Sequence, residues 1–151
     1  MKKFAFTLQP VLEHRERIED TKQQAVAVRQ RALDESEREL SRLNDDFRAH
    51  SNLLREKHKG FDADELRLHY AHLQFIDRSI VAQIHVVAER RAALDRARID
   101  LLAASKDRKV VEKLKDRRRE AHSVEELRVE QNELDDANAR AYGRARLGGT
   151  L

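Results

Sequence analysis

The sequence predicts an all-α protein: two long helices in an antiparallel coiled-coil hairpin, with the C-terminal helix longer. Three observations lead to this prediction. Between Met1 and Tyr142, Pro10 is the single proline and Gly60 the single glycine, a scarcity that excludes most sheet folds. Apolar residues recur at heptad spacing on both sides of Gly60. The composition is rich in Ala, Glu, Lys, Leu and Arg, which together with heptads indicates a coiled coil rather than a disordered polyampholyte.

The first helix is predicted over residues 8–58. Thr7 is the expected N-cap, and Pro10 falls in the first turn, where its missing N–H costs nothing. The turn covers residues 59–62, where we expect Gly60 to end the helix in the left-handed conformation. Asp62 and Glu65 have the spacing of a capping box for the second helix.

The second helix is predicted over residues 63–142, followed by a flexible tail over residues 143–151. Its heptad ladder mirrors that of the first helix, because each facing pair is equidistant in sequence from Gly60. This symmetry predicts an antiparallel hairpin within one domain spanning residues 1–151. The predicted hairpin core consists of Val26, Leu33, Leu40, Phe47, Leu54, Leu66, Leu73, Ile80, Val87 and Leu94.

The two helices differ in length, at about 75 Å and about 120 Å for a rise of 1.5 Å per residue. The heptad register is expected to slip near residues 104–106 and to resume weakly beyond them. Residues after about Leu114 should overhang without an intramolecular partner, yet apolar residues continue there. An overhang of this kind predicts a protein partner.

Composition excludes several functions. The chain has no cysteine and a net charge of +3, from 31 Lys and Arg against 28 Asp and Glu. His69 and His72 are one helical turn apart and could share a metal, but only Asp62 or Glu65 at the turn could be a third ligand. We therefore expect surface histidines, with neither a metal nor a cofactor. A two-helix hairpin offers no closed pocket for catalysis, so we expect no enzyme. No apolar run is long enough to span a membrane or serve as a secretory signal, which predicts a cytoplasmic protein.

Charge alternates along the end of the second helix. Residues 106–120 hold eight basic and four acidic side chains, whereas residues 123–138 hold one basic and six acidic side chains. Acids are interspersed in the basic stretch and aromatic residues are scarce, so nucleic-acid binding is not expected. This pattern better suits docking onto a charged protein surface.

Three sequence blocks resemble the flagellar export family FliJ. Residues 6–15 read FTLQPVLEHR and resemble the family opening F-x-L-Q-x-V-L-x-x-R. Residues 109–114 read KVVEKL and resemble its K-x-x-E-K-L block. Residues 130–137 read EQNELDDA and resemble the first eight positions of its E-x-x-x-x-D-E-x-A block, with Asp136 in place of the usual glutamate. The resemblance covers nearly the whole chain.

The resemblance implies a non-catalytic stalk of the type III flagellar export apparatus, at the cytoplasmic face of the inner membrane. Its implied partners are the export ATPase FliI, the regulator FliH and the export gate protein FlhA, through which it would be peripheral to the membrane. Residues expected to face the ATPase ring are Phe6, Leu8, Arg15, Arg117, Arg118, Arg119, Leu127, Leu134 and Ala141. Residues expected to face the gate, near the hairpin tip, are His69, Gln74, Asp77 and Arg78. The alternatives are a generic cytoplasmic coiled-coil adaptor and a basic nucleic-acid-binding hairpin.

Overall fold

The structure is a computed structural model that describes residues 3–147, with side chains up to Arg146. Helix α1 covers Gln9–Lys57, a 3₁₀ turn covers His58–Gly60, and helix α2 covers Ala63–Leu147. The first helix has 49 residues and the second has 85. The prediction of an all-α fold with a longer second helix is confirmed. Within residues 3–147, neither helix has a stretch long and apolar enough to cross a bilayer.

The chain divides into two compact units. The terminal unit comprises Met1–Arg17 and Ser105–Leu151, and the turn unit comprises Ile18–Ala104. In the turn unit, the side-chain amide of Gln83 donates to the Ser36 carbonyl at 2.9 Å, and Arg90 donates to the Ala32 carbonyl at 2.7 Å. Residue numbers therefore rise along α1 as they fall along α2, which is the antiparallel arrangement.

The core of the turn unit is a cluster of Leu33, Val87 and Leu94, with Val26 and Leu40 packed against it. Leu94 is the most buried apolar residue, with 2% of its surface exposed. These residues come from the two heptad ladders. Their burial shows that each helix of the turn unit packs its own heptad ladder against the ladder of the other helix.

Burial along the rest of the ladders is uneven. Leu54 is buried, whereas Phe47, Leu66, Leu73 and Ile80 are half-buried. Two helices shield only a narrow stripe from water, so the flank of many ladder residues remains open to solvent. Further buried residues that the ladders do not include are Ser36, Ile76 and Ala104.

Gly60 does not adopt the left-handed conformation that the sequence predicts, since no residue in the described part of the chain has a positive φ. Instead, α1 tightens into the 3₁₀ turn, and Phe61 is then extended, with φ −97° and ψ 141°. The predicted capping box is confirmed. The Glu65 N–H donates to Asp62 Oδ1 at 2.8 Å, and the Asp62 N–H donates to Glu65 Oε2 at 3.0 Å.

The start of α1 also differs from the prediction. The helix begins at Gln9, and the Leu8 carbonyl accepts the first helical hydrogen bond, from the Leu12 N–H at 3.0 Å. Leu8 rather than Thr7 is therefore the N-cap residue. A turn in which the Gln9 N–H donates to the Phe6 carbonyl at 3.0 Å precedes it and directs Thr7 toward α2.

The heptad register of α2 does not slip near residues 104–106. Half-buried positions of α2 in the terminal unit include Arg108, Val111, Lys115 and His122. Three of them follow Leu94 by whole heptads, so the register continues with polar residues at its inner positions. The predicted slip was based on apolar residues alone. Heptad positions that are filled by polar residues do not appear in an apolar pattern, so that pattern indicated a shift there.

The end of α2 lies further along the chain than the sequence predicts. The helix continues through residues 143–147, which the sequence assigns to a flexible tail. A single glycine in a helix costs only about 1 kcal/mol relative to alanine. The alanine and arginine neighbours of Gly143 favour helix, so Gly143 does not end it. Residues 148–151 of that predicted tail lie outside the described residues.

Candidate interaction surfaces

In the terminal unit, the N-terminal segment (residues 3–8) packs along α2. Phe6 is only 9% exposed. The Arg118 guanidinium carbon lies 5.8 Å from the centre of the Phe6 ring, and Arg118 also donates to the Thr7 hydroxyl at 3.2 Å. The Phe4 ring meets the edge of His122, with 5.6 Å between the ring centres. The segment is thus held by one aromatic contact and one cation–π contact, and a cation–π contact at an exposed site contributes about 0.5–1 kcal/mol.

Several of the residues expected to face the ATPase ring make contacts within the terminal unit. Phe6 is buried and packs against Arg118, which itself remains exposed. Arg15 forms an ion pair with Asp107 at 3.3 Å, and an exposed ion pair contributes about 0.2–1 kcal/mol. Leu8 is half-buried. Arg117 and Arg119 remain exposed.

The overhang begins later than the sequence predicts. We expected residues after about Leu114 to lack an intramolecular partner, but Phe4 reaches His122. The reason is geometric, because extended chain advances about 3.3 Å per residue and a helix only about 1.5 Å. Each residue of the N-terminal segment therefore covers about two residues of α2.

Beyond this covered region, α2 carries an exposed apolar surface. Leu127 and Leu134 are 64% and 60% exposed, and they lie on one helix face because they are seven residues apart. Val124 is 62% exposed, and Ala141 is also exposed. We call these four residues the tail stripe. Every residue from 130 to 142 is exposed, so the stripe is uncovered within the terminal unit.

In the turn unit, the residues expected to face the gate differ in exposure. Gln74, Asp77 and Arg78 are exposed on α2 as predicted from their positions outside the ladder. His69 is half-buried instead, because its ring contacts Phe61 and His50 at centre-to-centre distances of 4.5 Å and 5.0 Å. Phe75 was not singled out from the sequence, although it is 66% exposed beside Gln74. Its position outside the heptad ladder was the available signal.

Phe75 also lines a groove between α1 and α2 in the turn unit. The groove has a volume of about 540 Å³. Its apolar lining includes Leu43, Leu53 and Ile76, and His50 and His72 form part of its wall. The exposed aromatic ring and the groove together offer a place for an apolar side chain of a partner.

Charges on this part of α1 are already paired. Arg42 contacts Glu39 at 2.6 Å and Asp46 at 3.4 Å. The hydrogen bond from Arg42 lowers the pKa of the Glu39 carboxyl. Partial burial lowers the pKa of His50, and the neighbouring His72 and His69 lower it further. Among the described residues, no group of three or more His, Asp or Glu side chains could hold a metal ion.

Comparison with known proteins agrees with this architecture. Residues 4–147 match the family described as flagellar FliJ protein. The chain is also similar to a solved structure described as a putative YscO homolog, CT670 from Chlamydia trachomatis. That similarity has a TM-score of 0.52 and 20% identity, and it covers 95% of this chain and 98% of the other. At this identity the likeness concerns the fold alone. A comparison with curated proteins found no match.

The two-helix fold and the family match together define the class of the protein, which is a helical coiled-coil protein of type III export. The match covers all but the first three and the last four residues. The chain therefore belongs to the flagellar FliJ family.

Proposed function

We propose that the protein is a non-catalytic stalk of the flagellar type III export apparatus, which links the export ATPase ring to the export gate and promotes subunit export. Its partners would be the ATPase FliI, the regulator FliH and the gate protein FlhA. It would act in the cytoplasm, peripheral to the inner membrane through these partners. Family membership and the uncovered tail stripe support this proposal.

The tail stripe is the observation that carries the proposal. Removal of apolar surface from water is favourable, and a partner protein that covers these exposed leucines would provide it. Full burial of a leucine contributes about 1.5–3 kcal/mol. Arg117 and Arg119 are exposed one to three turns before the stripe and could pair with carboxylates of the ring, since arginine offers a planar five-donor fork.

The test is stimulation of ATP hydrolysis by the FliI hexamer. The double variant Leu127→Ser, Leu134→Ser should lose most of the stimulation, as should a chain ending at His122. Helicity measured by circular dichroism should fall in the truncated chain only by the share of the deleted residues. Leu102→Ser is the matched control, because Leu102 is 57% exposed and lies in the turn unit. Full stimulation by the double variant would refute docking through the stripe.

The gate contact is the second part of the proposal. The candidate surface comprises Gln74, Phe75, Asp77 and Arg78, with His69 at its edge. Aromatic residues commonly anchor interfaces when polar residues surround them, and Phe75 has such surroundings. Charge reversal at Asp77 and Arg78 together should weaken binding of the cytoplasmic part of FlhA. Charge reversal at Glu89, an exposed residue of the same helix, should not. Unchanged binding in the Asp77 and Arg78 variant would remove this surface.

A further inference from the structure

Three histidines from both helices meet beside the turn. The ring of His50 on α1 lies 5.0 Å from that of His69 and 4.7 Å from that of His72, centre to centre. His50 Nε2 and His69 Nδ1 are 3.1 Å apart, which is hydrogen-bonding distance. The Phe61 ring covers His69 from the turn, at 4.5 Å. We call His50, His69 and His72 the histidine cluster.

The hydrogen bond in this cluster depends on protonation. One of the two facing nitrogens must carry a hydrogen while the other offers a lone pair, so at least one imidazole must be neutral. If both imidazoles are protonated, two N–H groups and two positive charges face each other. The contact between His50 and His69 therefore links α1 to α2 when the rings are neutral, and it becomes repulsive when both rings are protonated.

The carboxylates of Asp46, Asp62 and Glu65, on or next to the helices that carry the cluster, make contacts other than with its imidazoles. On α1, Arg42 and Asp46 line the same groove as His50 and His72, but Asp46 pairs with Arg42 at 3.4 Å. On α2, the Glu65 carboxylate accepts the Asp62 N–H, and the Asp62 carboxylate accepts the Glu65 N–H. The basic side chains of the 3₁₀ turn, His58 and Lys59, are exposed. Within residues 3–147, no ion pair joins a carboxylate to the cluster.

We propose that the histidine cluster is a proton-sensitive contact, which holds the turn ends of α1 and α2 together when its imidazoles are neutral and loosens them on acidification. The segment that it controls covers residues 48–75, which are the end of α1, the 3₁₀ turn and the start of α2. Loosening would expose Leu54, which is buried in the same region.

The direction of the pH dependence follows from the environment of His50. Its folded-state pKa is lowered from the ordinary 6.5, first by partial burial and then by His72 and His69. The opened state therefore binds more protons than the closed state between the folded-state pKa and pH 6.5. The contact is fully stabilising above that pH, and its contribution declines as the pH falls through 6.5 toward the folded-state pKa.

Hydrogen exchange of the full chain tests the proposal, with EDTA present and intrinsic exchange rates corrected for pH. On going from about pH 7.5 to about pH 5.5, the opening equilibrium should rise over residues 48–75, relative to the Leu33 region of α1. Each unit of difference between the two pKa values of His50 corresponds to about a tenfold change in that equilibrium. His50→Gln should remove this local pH dependence, and His85→Gln, at an exposed position of α2, should keep it.

A titration of the imidazole resonances gives a second readout, which does not depend on how well the variants fold. His50 should titrate below the ordinary histidine pKa of 6.5. The proposal is overturned if His50 titrates at or above pH 6.5. It is also overturned if wild type and His50→Gln show the same pH dependence of exchange over residues 48–75.

Discussion

At the scale of single residues, long polar side chains occupy positions of the terminal unit where a coiled coil normally has leucines. Arg108, Lys115 and His122 are half-buried at heptad spacing. The stems of arginine and lysine can pack on a neighbouring helix while their charged ends stay in water. Arg108 shows the result, since its side chain is 22% exposed and its guanidinium contacts Glu112 at 2.6 Å.

Gly60 leads to the first prediction at this scale. Its φ is not positive, and a Cβ built on it would meet nothing within 4 Å. Gly60→Ala should therefore leave the protein as stable as wild type or more stable by about 0.4–1 kcal/mol, because alanine restricts the unfolded chain. Urea unfolding followed by circular dichroism measures this difference.

Asp62→Ala is the contrasting variant, at a position two residues away. It removes the side chain that accepts the Glu65 N–H, so it should destabilise the protein by about 0.5–2 kcal/mol. A loss of stability in Gly60→Ala as large as that in Asp62→Ala would show that the turn needs a glycine.

At the scale of the helices, stability depends on how completely each ladder residue is covered. Leu94 is almost fully buried against Leu33 and Val87, whereas Leu73 is half-buried. Leu94→Ala should destabilise the turn unit by about 2–5 kcal/mol, and Leu73→Ala by clearly less, because the loss grows with the cavity that the truncation leaves. Chemical unfolding of both variants measures the difference. Equal losses would contradict the packing described for these layers.

The same scale explains what could be predicted of the helices from the sequence. The mirrored ladders placed Leu33 opposite Val87 and indicated the antiparallel arrangement, since apolar spacing reports directly on the buried stripe. The path of the N-terminal segment could not be predicted in this way. It depends on tertiary contacts of Phe6 with Arg118 and of Phe4 with His122, which leave no periodic pattern.

The histidine cluster was within reach of the sequence, because His50 lies ten residues before Gly60, and His69 and His72 lie nine and twelve after it. Facing apolar residues were identified by their equal distance from Gly60, and the same relation places these histidines opposite each other. It was applied only to apolar residues. Phe75 was missed for a related reason, since a residue outside the ladder has no expected partner in the hairpin.

At the scale of the whole molecule, the two units carry different candidate surfaces on one helix. The terminal unit presents the tail stripe, and the turn unit presents Phe75 among polar residues. Both surfaces consist of exposed side chains on regular helix, where a partner protein can cover them. Under the proposed stalk function, altering either surface should reduce export while the fold is kept.

Export of flagellar subunits tests the central claim most directly, in cells whose own copy of the gene is deleted. We predict that such cells export few flagellar subunits into the medium and that the full chain restores export. The variant Leu127→Ser, Leu134→Ser should be present at the same level and should fail to restore it. Normal export without the chain, or full restoration by this variant, would contradict the account of the protein as an export stalk that docks through the tail stripe.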